Sequence, residues 1–110
     1  MWKEIPNFNG RYQISHYGRV YDTKTLRFLK PHMSGVKRRN YPQVTLYKKD
    51  GSKHTKRMHT LMGMTFFGYK SGNRKVVMHH LDNDPLNYHI TNLKKTTMKE
   101  NHYRNQKLAE

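Results

Sequence analysis

The chain contains no cysteine. Disulfides are therefore excluded, and so is any thiolate zinc site. Apolar residues are also few: with Tyr counted they make up 34% of the chain, against roughly 45–50% in an ordinary globular domain. The most apolar stretch, Met62 to Phe67, is far too short to cross a bilayer. Met1 is followed at once by Trp2-Lys3-Glu4 rather than by an apolar segment, so no secretory leader is read and an intracellular, non-secreted protein is expected. Acidic side chains are the other shortage: seven Asp and Glu stand against 22 Lys and Arg, a net charge of +15. No internal repeat or low-complexity tract is visible.

A length of 110 residues points to one domain. With so little apolar material its core is small, and such a domain gains stability from a bound ion or a large partner. The positive charge is also localised. Between Thr23 and Lys75 there are 14 basic side chains and one acidic one, Asp50. Self-repulsion of that size favours a polyanionic partner over a merely solvated face. A membrane surface would call for a long basic amphipathic helix, and none is legible. Nucleic acid is the expected partner. Lys37, Arg38 and Arg39 are the first candidates for contacts to phosphate, followed by Lys48, Lys49 and Lys53.

The pattern along the chain predicts β-structure first. In "RYQISHYGRVYD", Tyr12, Ile14 and Val20 alternate as inward residues and Gly18 marks a turn. "TLRFLKP" reads as a short strand stopped by Pro31. "YPQVTLYKK" and "KHTKRMHT" flank Asp50-Gly51, a hairpin signal. His59 to Phe66 reads as a short helix with Leu61, Met62 and Phe66 on its apolar side. "VVMHH" is a β-branched strand running into a polar loop, and "NLKKT" is its return. Thr97 and Glu100 have capping-box spacing, predicting a last helix over about 98–107.

The stretch from Val76 to Leu93 carries His79, His80, His89, Asp82, Asp84, Asn83, Asn87 and Asn92. Hydrolysis of a phosphodiester needs a base for water, a cation for developing charge and a rigid frame. His80 is a group that can act as base near neutral pH. On a regular strand His79 would point the other way; a bent loop would instead bring both rings into one site. Asn101 offers an amide oxygen. One imidazole with one amide oxygen and open positions suits a hard or borderline divalent ion.

These residues resemble the His-Asn-His (HNH, or ββα-metal) nuclease motif, in the form found in bacteriophage homing endonucleases. "VVMHHLDNDPLNYHITNLKKTTMKEN" follows the family's pattern from His79 through Asn92-Leu93 to Glu100-Asn101. Upstream, Trp2, Lys3, Ile5, Gly10, Tyr12, Ile14, Ser15, Gly18 and Val20 are similar to a module that often precedes the motif. His59, Leu61 and Phe66 match its linking segment. The resemblance covers nearly the whole chain.

It implies an α+β fold: a β-rich DNA-binding portion over 1–58, a linking helix and loop over 59–75, and a ββα-metal core over 76–110, together one compact unit. It implies a metal-dependent DNA endonuclease that nicks one strand of double-stranded DNA as a monomer, leaving 5′-phosphate and 3′-hydroxyl ends. His80 would be the general base, and Asn92 would lock the loop that aims it. His79 and Asn101 would hold one divalent ion, Mg²⁺ foremost, with Mn²⁺ or another able to serve; His102 is the rival for the last ligand place. Asp82, Asp84 and Asn87 would support the site from the loop. A phage-encoded protein would act in the cytoplasm of a bacterial host.

The chain departs from the family where Asn83-Asp84 replaces the usual Gly-Asn, Tyr88 a second Asn and Lys95 a common Trp. It ends without the C-terminal helix-turn-helix of some relatives, from which loose sequence specificity is expected. Two other functions remain open: a DNA-binding module on the same scaffold that does not cut, and an RNA-binding protein. The acidic loop beside a polyanion argues for a cation, and so against the second.

Overall fold

The computed structural model describes residues 1–35, 40–70 and 76–97. The expected last helix, Lys37, Arg38, Arg39, Asn101 and His102 lie outside the described residues. The chain opens with an antiparallel meander of β1 (Trp2–Glu4), β2 (Tyr12–Ser15), β3 (Val20–Asp22) and β4 (Arg27–Leu29), paired in that order. Tyr12, Ile14 and Val20 are buried as the alternation predicts, and Ile14 pairs with Val20. Tyr12 pairs with Asp22, which carries that carboxylate to the inner side of the sheet.

Arg11 meets Asp22 there in a two-pronged ion pair, with Nε 3.1 Å from Oδ1 and Nη2 2.9 Å from Oδ2. The backbone N–H of Lys24 also donates to Oδ1 at 2.9 Å. Burial alone would raise the pKa of Asp22, but these donors outweigh it and hold the carboxyl below its ordinary 3.8. The outer face of the sheet is aromatic. Phe28 contacts Trp2 and Tyr21, with ring centroids 5.9 and 5.0 Å apart, and the Arg19 guanidinium lies 4.3 Å over the Phe28 ring.

The second sheet contains β5 (His32–Met33), β6 (Pro42–Tyr47) and β7 (Lys53–Arg57). Val44 and Leu46 point inward from β6, as its period-two pattern requires. Asp50-Gly51 does close the β6–β7 hairpin: Gly51 N–H donates to Lys48 O at 2.9 Å, and Asp50 Oδ1 accepts from Ser52 N–H at 2.8 Å. The two sheets are joined by the Tyr12 hydroxyl, which accepts from Tyr47 N–H at 2.9 Å.

Strand β7 runs directly into helix α1 (Met58–Phe66), one residue earlier than predicted. Met58, Leu61, Met62 and Thr65 are buried at the spacing of one helical face, and Gly63 is buried beside them. After the helix, β8 (Val76–His80) and β9 (Leu93–Thr97) form a separate hairpin, with His80 opposite Leu93 and His79 opposite Lys94. A 3₁₀ turn, Ile90–Asn92, leads into β9.

One apolar cluster serves all these parts: Ile5, Ile14 and Val20 of the N-terminal portion, Val44 and Leu46 of the second sheet, Met58, Leu61 and Met62 of α1, and Met78 and Leu93 of the last hairpin. Among the described residues no helix is long and apolar enough to cross a membrane.

Replacing Asp22 by Asn leaves Arg11 without its counter-charge. We expect a loss of about 2–3 kcal/mol in urea unfolding at neutral pH. The folded carboxyl has a lowered pKa, so its contribution is complete above 3.8 and disappears as pH falls through the folded value. The variant should therefore lose less stability on acidification than the parent.

Candidate functional site

Helix α1 forms the wall behind the β8–β9 hairpin. Gly63 makes the close approach possible: a Cβ there would sit 2.6 Å from Met78 Cγ and 2.7 Å from Met78 Sδ. Lys95 Nζ donates to Phe67 O at 3.0 Å, tying β9 to a carbonyl at the negative end of the helix. His59, in the first turn of α1, packs edge-on against His80, with ring centroids 5.0 Å apart and planes at 76°.

These contacts settle which side is which. Met78 and His80, with their partners Lys95 and Leu93, face α1; His79, with Val77 and its partner Thr96, faces the other way. The strand is regular, so the adjacent imidazoles diverge. Neither is left in open water, for each is only 8% exposed.

Burial is the main influence on His80. It lowers the imidazole pKa, aided by His79, while the nearby Asp82 and Asp84 act in the opposite direction without reversing it. Burial thus favours the neutral ring. Its Nε2 is buried and has no hydrogen-bond partner among the described residues. His59 Nδ1 shares that condition, and burial, then His80, then Arg57 push its pKa down to about 4.

The loop between the strands is held by a polar clamp. Asn92 Nδ2 donates to Asp82 Oδ1 at 2.9 Å and to Asn87 O at 2.8 Å. Its Oδ1 accepts from Asp82 N–H at 3.3 Å, and its backbone carbonyl accepts from Leu81 N–H at 2.7 Å. Asn87 Nδ2 donates to Asp82 Oδ2 at 2.9 Å. Asp82 thus collects donors from Asn87, Asn92 and the Asp84 N–H, and its pKa falls to about 2. Asp84 Oδ1 accepts from Leu86 N–H at 3.0 Å, a turn-forming role within the loop.

Asn83, where the resembled family has glycine, adopts φ 61°. That left-handed conformation explains both the family's glycine and the asparagine here, since Asn tolerates it better than other side chains. His89 caps the 3₁₀ turn, its Nδ1 accepting from Thr91 N–H at 3.1 Å.

The N-terminal sheet buttresses this loop. Tyr17 packs on His89 with centroids 4.6 Å apart, and Ile90 N–H donates to His16 O at 2.9 Å. Gly18, at φ 83°, lies under Tyr88; a Cβ would fall 2.3 Å from the tyrosine ring. Tyr88, which breaks the family's paired asparagines, is thus a packing residue.

Of the cationic candidates, Lys48 and Lys49 stand at the β6–β7 tip beside a cleft of about 520 Å³ also lined by Phe8, Arg11, Lys24 and Tyr47. Lys53 is exposed at the start of β7. The sequence reading passed over Arg11 and Lys24 as contacts, because only the meander's pairing brings them to the hairpin tip. His59 is a packing residue of the linking helix, and the α1–β8 contact shows that His80 is what it packs against.

Among the described residues no three His, Asp or Glu side chains gather to hold a metal ion. The donors still fit the divalent ion that the resemblance implies. His79 is a buried imidazole at the strand end, and one more amide or imidazole donor with open positions would complete an open-site set. The other candidate ligands, Asn101 and His102, lie outside the described residues.

A two-stranded hairpin ending in paired histidines, with Asn-Leu opening its return strand and a clamped loop between, defines the ββ portion of an HNH nuclease. Comparison with known proteins agrees. Residues 1–47 match the family model described as the NUMOD4 motif. The chain is 34% identical over 103 residues to an uncharacterized HNH endonuclease of Acanthamoeba polyphaga mimivirus, covering 92% of this chain and 25% of that one. It is 34% identical over 101 residues to DNA endonuclease I-HmuI of Bacillus phage SP01, covering 91% and 54%. The solved structure titled "DNA binding and cleavage by the HNH homing endonuclease I-HmuI" superposes with a TM-score of 0.84 at 32% identity, over 99% of this chain and 59% of that one. Over nearly its whole length the chain is thus similar to HNH endonucleases of the phage homing type. It spans about half or less of the length of these curated relatives.

The clamp makes a direct prediction. Asn92→Ala removes two donors and one acceptor, and should cost about 1–2 kcal/mol in thermal or urea unfolding. The Asp82 carboxyl should titrate above about 2, with Asn87 and the Asp84 N–H still holding it below 3.8, and the Leu81 and Asp82 amides should exchange faster. Unchanged titration of Asp82 in an NMR series would contradict the clamp.

Proposed function

We propose that this chain is a metal-dependent DNA endonuclease that nicks one strand of duplex DNA, with His80 as general base. The observation that carries the reading is His80 itself: a buried, neutral imidazole at the end of β8, beside His79 and above the Asn92–Asp82–Asn87 clamp. A base must be unprotonated at working pH and held still. Burial supplies the first condition, and the α1 wall with the clamp supplies the second.

In this reading the scissile phosphate lies across the end of β8, where the two imidazoles diverge. His80 takes a proton from the attacking water. His79 and Asn101 would hold one divalent ion, Mg²⁺ foremost, and that ion would offset charge on the phosphate and on the leaving 3′-oxygen. Asn92 keeps the loop closed so that the end of β8 does not fray. Lys48, Lys49 and Lys53, with Arg11 and Lys24, contact the DNA backbone. One active site per chain cuts one strand per event, so a monomer nicks. If encoded by a phage, it acts in the cytoplasm of a bacterial host.

Supercoiled plasmid incubated with Mg²⁺, Mn²⁺ or EDTA tests this. Metal-dependent conversion to open circle is expected, with 5′-phosphate and 3′-hydroxyl ends at the nick. His80→Ala should slow it by about 10²–10⁴-fold while DNA retention persists. Retention without relaxation in any metal would show a binding module instead, and preference for RNA in competition would show the third function.

Backbone tracking has a separate signature. The logarithm of the duplex affinity should fall linearly with the logarithm of salt concentration, with a slope near −0.9 per phosphate contact. Lys48→Ala and Lys49→Ala should each lower the slope by about one contact. A flat salt response would remove these lysines from the interface.

A further inference from the structure

Three buried side-chain polar atoms lack a hydrogen-bond partner among the described residues: Thr65 Oγ1, His59 Nδ1 and His80 Nε2. The last two belong to rings that pack on each other, with centroids 5.0 Å apart. We infer that His59 is a positioning residue for His80: its Nδ1 lone pair accepts the proton on His80 Nε2, across a single water or by a small closure of the rings. That leaves His80 Nδ1 bare for proton abstraction. The inference rests on the reading of His80 as the base.

A neutral imidazole carries one proton on one of two nitrogens, and the hydrogen bond of one nitrogen decides the state of the other. If Nε2 of His80 had no acceptor, a proton there would be a buried, unsatisfied donor. The ring would then be driven toward the tautomer protonated on Nδ1, with its lone pair facing the interior and useless for chemistry. An acceptor behind Nε2 reverses that preference, and His59 Nδ1, the other unpartnered nitrogen of the packed pair of rings, is the acceptor assigned to it. Burial keeps His59 neutral, so it offers a lone pair without adding charge beside the base.

His59 is also held firmly enough to serve. It lies in the first turn of α1, directly after β7. The Tyr41 ring packs against it with centroids 5.2 Å apart, and the Arg57 guanidinium covers Tyr41 at 4.7 Å. Tyr41, His59 and His80 thus form a stack of rings that runs inward from Arg57 to the base.

The test is long-range ¹H–¹⁵N NMR, which reads the tautomer of each histidine, combined with steady-state nicking. Wild-type His80 should carry its proton on Nε2. In His59→Phe, which keeps a ring but removes the acceptor, the proton should move wholly or partly to Nδ1. The kcat for nicking should fall about 10–100-fold, as for other residues that orient a functional histidine, with KM and calorimetric Mg²⁺ affinity unchanged. His59→Gln, whose amide oxygen can accept, should restore much of both. Unchanged Nε2 protonation in a folded His59→Phe protein would overturn the inference, as would equal behaviour of the Phe and Gln variants. Should His59→Phe not fold, the wild-type spectrum decides, since a proton on His80 Nδ1 is incompatible with the proposal. A tautomer change between wild type and His59→Phe, with a wild type that cuts no DNA, would uphold the pairing while refuting the nuclease reading.

Discussion

The approach of α1 to the β8–β9 hairpin is the contact on which the site depends. It is set by a residue with no side chain. At Gly63 the helix comes so near Met78 that even a methyl group would overlap its thioether. Packing at that distance fixes the depth of β8 and therefore the burial of His80. It also brings His59 against the back of the imidazole and lets Lys95 reach the carbonyl of Phe67. A larger residue at 63 would have to displace the Met78 side chain or the hairpin that carries it; a shifted hairpin would change the chemistry of His80 through solvation rather than through any lost catalytic group.

The loop solves a different problem. It is largely exposed, with Leu81 and Leu86 at the surface, so polar groups give it much of its shape. Asp82 gathers three donors, Asn92 bonds in both directions, and Asn83 takes a left-handed turn. Acidic side chains in so basic a chain are thus used locally, as acceptors for loop amides. The same holds at Asp22, whose carboxylate is engaged by Arg11 and the Lys24 amide inside the first sheet. Among the described residues Lys24, Arg27, Lys30, Lys49 and Lys53 are exposed, and a polyanion is the partner such a surface suits.

Much of this was legible in the sequence wherever the signal was local. The alternation of Val44 and Leu46, the Asp50-Gly51 turn and the spacing of Leu61 and Met62 each depend on neighbours in the chain. The histidine pair at the end of a β-branched run is likewise a local pattern. Strands β1 and β5 were not read, because Trp2–Glu4 and His32–Met33 are short and exposed and exist only by pairing with β2 and β6. The 3₁₀ turn at Ile90–Asn92 was hidden in a polar stretch. His59 looked like a helix residue because nothing within a few positions of it announces His80. The cleft at the hairpin tip joins Arg11 and Lys24 to Lys48 across a sheet boundary, and sequence order does not display such neighbours.

The meeting of Gly18 with Tyr88 has a consequence for how such proteins can be assembled by recombination. The N-terminal module recurs ahead of HNH cores as though it were a detachable part. Here the turn between β2 and β3 is seated beneath a tyrosine of the nuclease loop, and the backbone of His16 accepts from Ile90. The seam between module and core is a fitted joint as well as a linker. An exchanged module would have to bring a glycine to that turn, and an exchanged core a ring of the right size to cover it. Lineages that shuffle the two parts should carry the imprint of this joint as paired changes at the turn and in the loop.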